Sequence, residues 1–105
     1  MPLTRSFKAT VKARVQWDPA FRDALLTEGI DALLAGDVDT GKAILRDYVN
    51  ATIGFDRLAN ETGTPAKSLM RMLGPSGNPN ARKLFAILAR LQKAAGVNLS
   101  VRPSR

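Results

Sequence analysis

Residues 55–73, FDRLANETGTPAKSLMRML, decide how this chain is expected to fold. Apolar residues recur at helical spacing on both sides of Gly63. Glycine readily takes the left-handed backbone conformation that ends one helix and turns the chain sharply into the next. Ala59, four residues earlier, is small enough for the second helix to cross close to the first. The stretch therefore predicts two short helices that meet at a glycine corner.

The second helix is predicted to begin at Thr64 and Pro65, because threonine caps helices and proline suits the first helical turn. Leu58 and three residues of the second helix are expected in the core, namely Leu69, Met72 and Leu73. The face left exposed consists of Ala66, Lys67, Ser68, Met70 and Arg71. In a helix-turn-helix, such exposed early residues meet base edges in the major groove of DNA. The pattern predicts this motif over residues 55–73, with an ordinary packed helical hairpin as the alternative.

The charge of the chain, +7 overall, is unevenly distributed. Residues 1–16 carry four basic side chains and no carboxylate, residues 17–61 carry all nine carboxylates, and residues 62–105 carry eight basic side chains and no carboxylate. Such a basic surface attracts phosphate, because each neutralised phosphate releases condensed counterions. The C-terminal segment is therefore expected to bind a polyanion, with a merely solvated basic face as the alternative.

A last helix is predicted after the turn-rich residues 74–79, and Gly96 ends it. One face of this helix is apolar, with Leu84, Ile87, Leu88 and Leu91, and its first residues are Asn80, Ala81, Arg82 and Lys83. A helix N-terminus combines free backbone N–H groups with the positive end of the helix dipole. With Asn80, Arg82 and Lys83 beside it, this N-terminus is predicted to hold DNA phosphates.

The rest of the chain is predicted as helices flanked by two strands. Asp18 and Pro19 open a helix that Gly36 ends, and Asp37 or Asp39 caps the next, whose apolar stripe is Ile44, Leu45, Tyr48, Val49 and Thr52. Strict alternation indicates a strand with a basic outer face over residues 7–15, with a helix as the alternative, and a second strand over residues 97–102. The two strands are expected to pair with each other or across a dimer. The prediction is one mainly α-helical domain over residues 1–105, with five helices and short flanking β-strands.

The sequence from about Phe21 to Leu99 resembles the HigA-like antidote proteins of addiction modules, which carry an Xre-type, lambda-repressor-like helix-turn-helix. The matching residues are Gly54, Phe55, Leu58, Ala59 and Gly63, then Ser68, Leu69, Met72 and Leu73, then Gly77, Asn78 and Pro79 before the Leu84/Leu88/Leu91 helix. The chain departs from the family at Gly54 and Phe55, where many relatives have a polar Thr-Gln pair, and in its basic flanking segments.

The resemblance implies a five-helix DNA-binding domain, often dimeric, that represses its own operon, with a small ribonuclease toxin as an optional partner. By the same resemblance, base contacts fall to Ala66, Lys67 and Arg71. Phosphate contacts fall to Ser68, Asn80 and Arg82, and we add Thr64 and Lys83 to that set. The scaffold of the turn consists of Ala59, Gly63, Leu69 and Met72. The predicted partners are double-stranded operator DNA, a second copy of the chain and that toxin.

Composition argues against several other classes of function. The chain has no cysteine and no histidine, so disulfides, thiolate metal sites and histidine bases are excluded. Neither an enzyme nor a cofactor is predicted. No secretory signal and no membrane span are predicted, so the expected location is the cytoplasm.

Two further alternatives remain open, an RNA-binding protein and a protein-interaction module. RNA readers stack bases on exposed aromatic side chains. Here most aromatics fall on predicted core faces, and Trp17, the one candidate for stacking, is expected to anchor the core. The acidic middle of the chain is a hypothetical contact surface for a basic toxin.

Overall fold

The computed structural model describes the backbone of residues 3–105 and the side chains from Ala9 onward. Within these residues the chain forms six α-helices and no β-strand. They are α1 (Leu3–Trp17), α2 (Pro19–Leu34), α3 (Val38–Ala51), α4 (Phe55–Thr62), α5 (Ala66–Met72) and α6 (Ala81–Ala95). The mainly helical class is therefore confirmed, whereas the count of five helices and the two flanking strands are wrong.

Residues 7–15, predicted as a strand, lie inside the helix α1. Their alternation also contains a helical spacing, because Val11 and Val15 are four residues apart and share one helix face. Val15 is buried in the core and Val11 is half-buried. The Arg22 guanidinium donates a hydrogen bond to the Val15 carbonyl oxygen over 3.1 Å and ties α1 to α2. The side chain of Phe7 lies outside the described residues.

Residues 97–105 follow α6 without regular secondary structure. Val97 and Leu99 pack against the core while Asn98 and Ser100 are exposed, as the alternation predicts, but Val101 is 74% exposed and breaks it. No described segment pairs with this tail as a strand. Instead, the Leu99 backbone N–H donates a hydrogen bond to the Gln92 side-chain oxygen over 2.8 Å. The Gln92 side chain of α6 thus accepts a hydrogen bond that a carbonyl oxygen of a neighbouring strand would accept in a sheet.

Two aspartates begin α2 and α3 as the sequence predicts. The Asp18 carboxylate accepts the Phe21 N–H over 3.1 Å, and the Asp37 carboxylate accepts the Thr40 N–H over 3.3 Å. The hydrogen bond from Phe21 lowers the pKa of Asp18 below its ordinary value. The caps satisfy backbone donors that a helix N-terminus otherwise leaves without partners.

The main buried cluster of the core is formed by α2, α3, α4, α5 and α6, and α1 adds the buried Val15. α2 packs along α3, while α4 packs against both α5 and α6. The buried cluster consists of Leu26, Leu45, Tyr48, Val49, Phe55, Leu58, Leu69, Leu73, Ile87, Leu88 and Leu91. The predicted burial of Leu58, Leu69 and Leu73 is confirmed, and Met72 packs at the edge of the cluster. The helix pair over residues 55–73 is therefore packed into the same buried cluster as the other helices.

Candidate nucleic-acid interface

The predicted glycine corner joins α4 to α5. Gly63 has φ 72° and ψ 14°, in the left-handed region, and its N–H donates to the Ala59 carbonyl oxygen over 2.9 Å. A residue with a Cβ atom is strained in this conformation, which is why glycine ends α4 here. Ala59 packs against the core where the two helices meet. The predicted helix pair and its corner are thus present in the fold.

Thr64 does not cap α5, in contrast to the prediction. The N-cap position is occupied by Pro65, and no side-chain hydrogen bond caps the helix. The helix begins one residue later than the sequence suggested, so the threonine hydroxyl is one residue too far from the first free N–H groups. Thr64 lies half-buried beside the corner instead.

The outward face of α5 carries the two predicted base-reading cations. Lys67 and Arg71 are exposed, and their spacing of four residues places them side by side on one helix face. Ala66 and Ser68 are half-buried. An α-helix with its side chains is about 10–12 Å in diameter, which matches the width of the major groove of DNA, about 12 Å.

A small cleft separates the glycine corner from the first turns of α6. It has a volume of about 140 Å³ and is lined by Thr62, Thr64, Leu69, Met72, Arg82, Lys83, Ala86 and Ile87. Three of the predicted phosphate-binding residues, Thr64, Arg82 and Lys83, therefore lie around one cleft. The fold brings them together although they are up to 19 positions apart in the chain.

Asn80 caps α6 next to this cleft. Its side-chain oxygen accepts the Lys83 N–H over 2.9 Å, so capping occupies the oxygen and leaves the amide N–H groups as donors. The residue is exposed. A phosphate beside α6 would therefore meet hydrogen-bond donors from Asn80 and the charges of Arg82 and Lys83.

One carboxylate interrupts the basic surface that the sequence suggested. Glu61 of α4 pairs with Arg57 over 2.7 Å and, across the helices, with Arg90 of α6 over 3.0 Å. The hydrogen bond from Arg57 lowers the pKa of Glu61, and the charges of Arg57, Arg90 and Lys93 lower it further. Arg90 is therefore engaged inside the fold.

The four cations predicted to bind DNA remain free of such pairing. In the described part of the chain, no ion pair involves Lys67, Arg71, Arg82 or Lys83. All four residues are exposed. Part of the charge available to a polyanion therefore lies on α5 and on the first turn of α6, although exposed cations elsewhere, namely Lys12, Lys93, Arg102 and Arg105, also form no ion pair within the described residues.

A buried lysine that the sequence analysis missed contacts the loop between α5 and α6. Lys42 of α3 is only 3% exposed, and its ammonium donates to the Gly77 carbonyl oxygen over 2.6 Å and lies 3.5 Å from the Asp39 carboxylate. Gly77 approaches α5 so closely that an added Cβ would overlap the Arg71 carbonyl oxygen. Lys42 thus holds the loop of residues 74–79, which connects α5 to α6. The sequence feature that could have indicated the burial of Lys42 is its position three residues before the buried Leu45, which places both residues on one face of α3.

Two aromatic side chains lie on the surface, and for Trp17 this is contrary to expectation. Trp17 is 71% exposed and Phe85 is 66% exposed. Trp17 ends α1, where Val15 already makes the core contact. Phe85 lies outside the stripe of α6 that faces the core, and its neighbours Ile87 and Leu88 are buried there. The prediction of Trp17 as a core anchor is therefore wrong.

Comparison of the chain with protein-family models, with curated proteins and with solved structures gave no match. Over residues 3–105, no helix has the length and apolar character needed to cross a membrane. The same residues contain no group of three or more acidic side chains arranged to hold a metal ion.

Proposed function

We propose that this protein is a sequence-specific DNA-binding transcriptional regulator of the helix-turn-helix class. The observation that carries the proposal is that two cations, Lys67 and Arg71, are exposed on the outward face of α5. Within the described residues neither of them forms an ion pair. The Gly63 corner and the buried side chains of α4 and α5 hold this face in a rigid orientation. Rigid elements present side chains to a ligand with less loss of conformational entropy on binding.

In the proposed complex α5 enters the major groove. Lys67 and Arg71 then reach acceptor atoms on base edges, where an arginine or lysine preferentially pairs with guanine O6 and N7. Ala66, at the start of α5, is half-buried and packs partly against the core, and its remaining exposed surface is the part proposed to contact a base. The backbone phosphates beside the groove meet Thr64, Ser68, Asn80, Arg82 and Lys83. Phosphate contacts set the position of the protein, and base contacts select the sequence.

We further propose that two copies act together on a palindromic operator. A helix of seven residues reaches only a few base pairs, and two half-sites one helical turn apart multiply the specificity. A selection of binding sequences from a random DNA library should therefore yield an inverted repeat. A single unrepeated half-site would contradict the dimer.

Alanine substitutions on the two parts of the surface should have different effects. Lys67→Ala or Arg71→Ala should lower affinity for the selected sequence by about 1–3 kcal/mol, because a bidentate base contact is lost. Arg82→Ala or Lys83→Ala should weaken binding to all sequences and reduce the slope of log K against log salt by about one each. Binding is measured by mobility shift or fluorescence anisotropy at several salt concentrations, with selected and scrambled duplexes.

Lys12→Ala serves as the control for this series, because Lys12 is exposed on α1 and α1 packs against α2 and α3. It should leave the preference for the selected duplex unchanged. Full affinity in both the Lys67 and the Arg71 variants would show that α5 is not the reading helix, and the proposed function would fail.

Within this class we propose an antitoxin that represses its own operon in the cytoplasm, with a solitary repressor as the alternative. The support is the resemblance of the sequence from about Phe21 to Leu99 to HigA-like antidotes and the separation of charge along the chain. Carboxylates are exposed on α2 and around the start of α3, for example Glu28, Asp31 and Asp37. Such a surface complements a small basic nuclease and leaves α5 free for DNA.

The exposure of Trp17 and Phe85 favours one second candidate, the binding of single-stranded RNA. Bases stack on exposed aromatic rings and contribute about 1–3 kcal/mol each. If this is the function, a single-stranded RNA should displace duplex DNA from the protein, and Trp17→Ala or Phe85→Ala should weaken RNA binding. The DNA proposal expects the opposite order of affinities, with little effect from either substitution.

A further inference from the structure

Met70 lies on the outward face of α5, one helical turn after Lys67, the first of the two proposed base-reading cations. It is 45% exposed, whereas Leu69 is buried and Met72 packs against the core. Residues three and four positions apart are neighbours on a helix surface, so Lys67, Met70 and Arg71 form one continuous patch. This patch combines two positive charges with one large apolar side chain.

The packing of the domain does not account for an apolar residue at this position. Met70 belongs neither to the buried cluster nor to the residues packed against it. Polar residues such as glutamine, glutamate and lysine favour helices about as well as methionine does, so the helix does not require it either. The reason for methionine is therefore to be sought in what the patch contacts.

The major groove of DNA offers one apolar group, the C5-methyl group of thymine. Lys67 and Arg71 carry only hydrogen-bond donors, which recognise acceptor atoms and do not detect a methyl group. Methionine is unbranched and polarizable, so its side chain adapts to an irregular surface. At the edge of the patch, beside Lys67, it supplies the apolar contact that the two cations lack.

We propose that Met70 contacts the C5-methyl group of a thymine in the major groove and gives the protein a preference for a T·A pair at that position. The inference rests on the proposed function, because it requires α5 to lie in the groove. It adds a residue that selects sequence through an apolar contact to those that select through hydrogen bonds.

The test uses the duplex that the wild-type protein enriches from a random-sequence library, prepared once with thymidine and once with deoxyuridine, which lacks the methyl group. For each protein, the measured ratio is the Kd for the deoxyuridine duplex divided by the Kd for the thymidine duplex. This ratio should be about four-fold larger for the wild type than for Met70→Ala, a change corresponding to about 0.8 kcal/mol for one methyl group. Any effect of deoxyuridine on the duplex itself is common to both proteins and cancels.

Two further variants complete the experiment. Met70→Leu keeps an apolar side chain of similar size and should keep the preference for thymidine. Leu34→Ala removes a side chain that is 63% exposed on α2, far from the reading patch in sequence, and should behave as the wild type. Circular dichroism and urea unfolding of each variant verify that the fold is retained.

The possible failures are distinguishable. If the wild type enriches a defined sequence but Met70→Ala shows the same ratio, the contact of Met70 with thymine is refuted and the proposed function stands. If the wild type enriches no sequence at all, the proposed function is refuted and this inference falls with it.

Discussion

At the residue scale, the backbone conformation of Gly63 sets the turn between α4 and α5. Gly63 has a positive φ, and the space around its missing Cβ is open, so any cost of substitution arises from the backbone and not from a clash with neighbours. The left-handed conformation costs an ordinary L-residue about 1–2 kcal/mol, and asparagine tolerates it better than most. The corner of the helix pair therefore depends on the type of residue at one position.

Gly63→Ala should lower the free energy of unfolding by about 1 kcal/mol, because alanine is strained where glycine is not. Gly63→Asn should lower it by less, since asparagine tolerates the left-handed region. The measurement is urea unfolding followed by circular dichroism. Equal losses in the two variants would point to a cause other than backbone strain, and no loss in either would show that the corner adopts another conformation.

At the level of elements, α4, α5 and α6 are connected by more than apolar packing. The ion pairs of Glu61 join α4 to α6, and Lys42 of α3 holds the loop between α5 and α6. These polar contacts keep the first turn of α6 at a defined distance from the corner, so that Arg82 and Lys83 face the same cleft as Thr64. The phosphate-binding residues depend on this arrangement of three elements.

Glu61 should make the packing of α4 on α6 sensitive to acid. Its pKa is lower in the folded protein than in the unfolded chain, so its stabilising effect is complete above the unfolded pKa of about 4.3 and is lost as the pH falls through the folded pKa. The difference in urea midpoint between the wild type and Glu61→Gln should therefore be present near neutral pH and shrink in acid.

Glu28→Gln is the matched control for this measurement, because Glu28 is exposed and no ion pair within the described residues involves it. Its midpoint should follow that of the wild type at every pH. A constant difference between the wild type and Glu61→Gln down to strong acid would show that the carboxylate charge does not stabilise the folded state.

At the scale of the whole molecule, charge and chain order coincide. The carboxylates all precede residue 62, whereas the cations of α5 and α6 follow it. The α2–α3 region and the α5–α6 region thus have opposite charge, which allows one protein to meet a basic protein and an acidic nucleic acid at different regions. Proposed binding to a toxin and to DNA would then be separable by mutation.

A double charge reversal, Glu28→Lys with Asp31→Lys, should weaken binding of the proposed basic toxin about ten-fold, because like charges then face each other. The probe is the product of an adjacent reading frame that encodes a small basic nuclease, co-expressed and measured by calorimetry. Lys67→Ala is the converse control and should lose affinity for DNA while keeping the toxin. Unchanged toxin binding by the reversed variant would refute the acidic docking surface.

The sequence could predict the parts of the fold that depend on local rules. The Gly63 corner, the caps at Asp18 and Asp37, and the apolar stripe of α6 follow from backbone preferences and periodicity within a few residues. The prediction of a strand over residues 7–15 was wrong because an alternating pattern that contains Val11 and Val15 is compatible with both a strand and a helix. The presence or absence of a pairing strand is not a local property.

By itself the sequence determined the mainly helical class, the helix pair that meets at Gly63 and the identity of the cations that no carboxylate opposes along α5. Only the tertiary structure decided that α1 is a helix, that Thr64, Arg82 and Lys83 share a cleft, that Lys42 is buried beneath the loop, and that Glu61 engages Arg90. Local conformation depends on neighbours within about one helical turn, which can be read from the chain. The pairing of charges and the burial of side chains depend on which distant segments pack together, and only the folded molecule specifies these contacts.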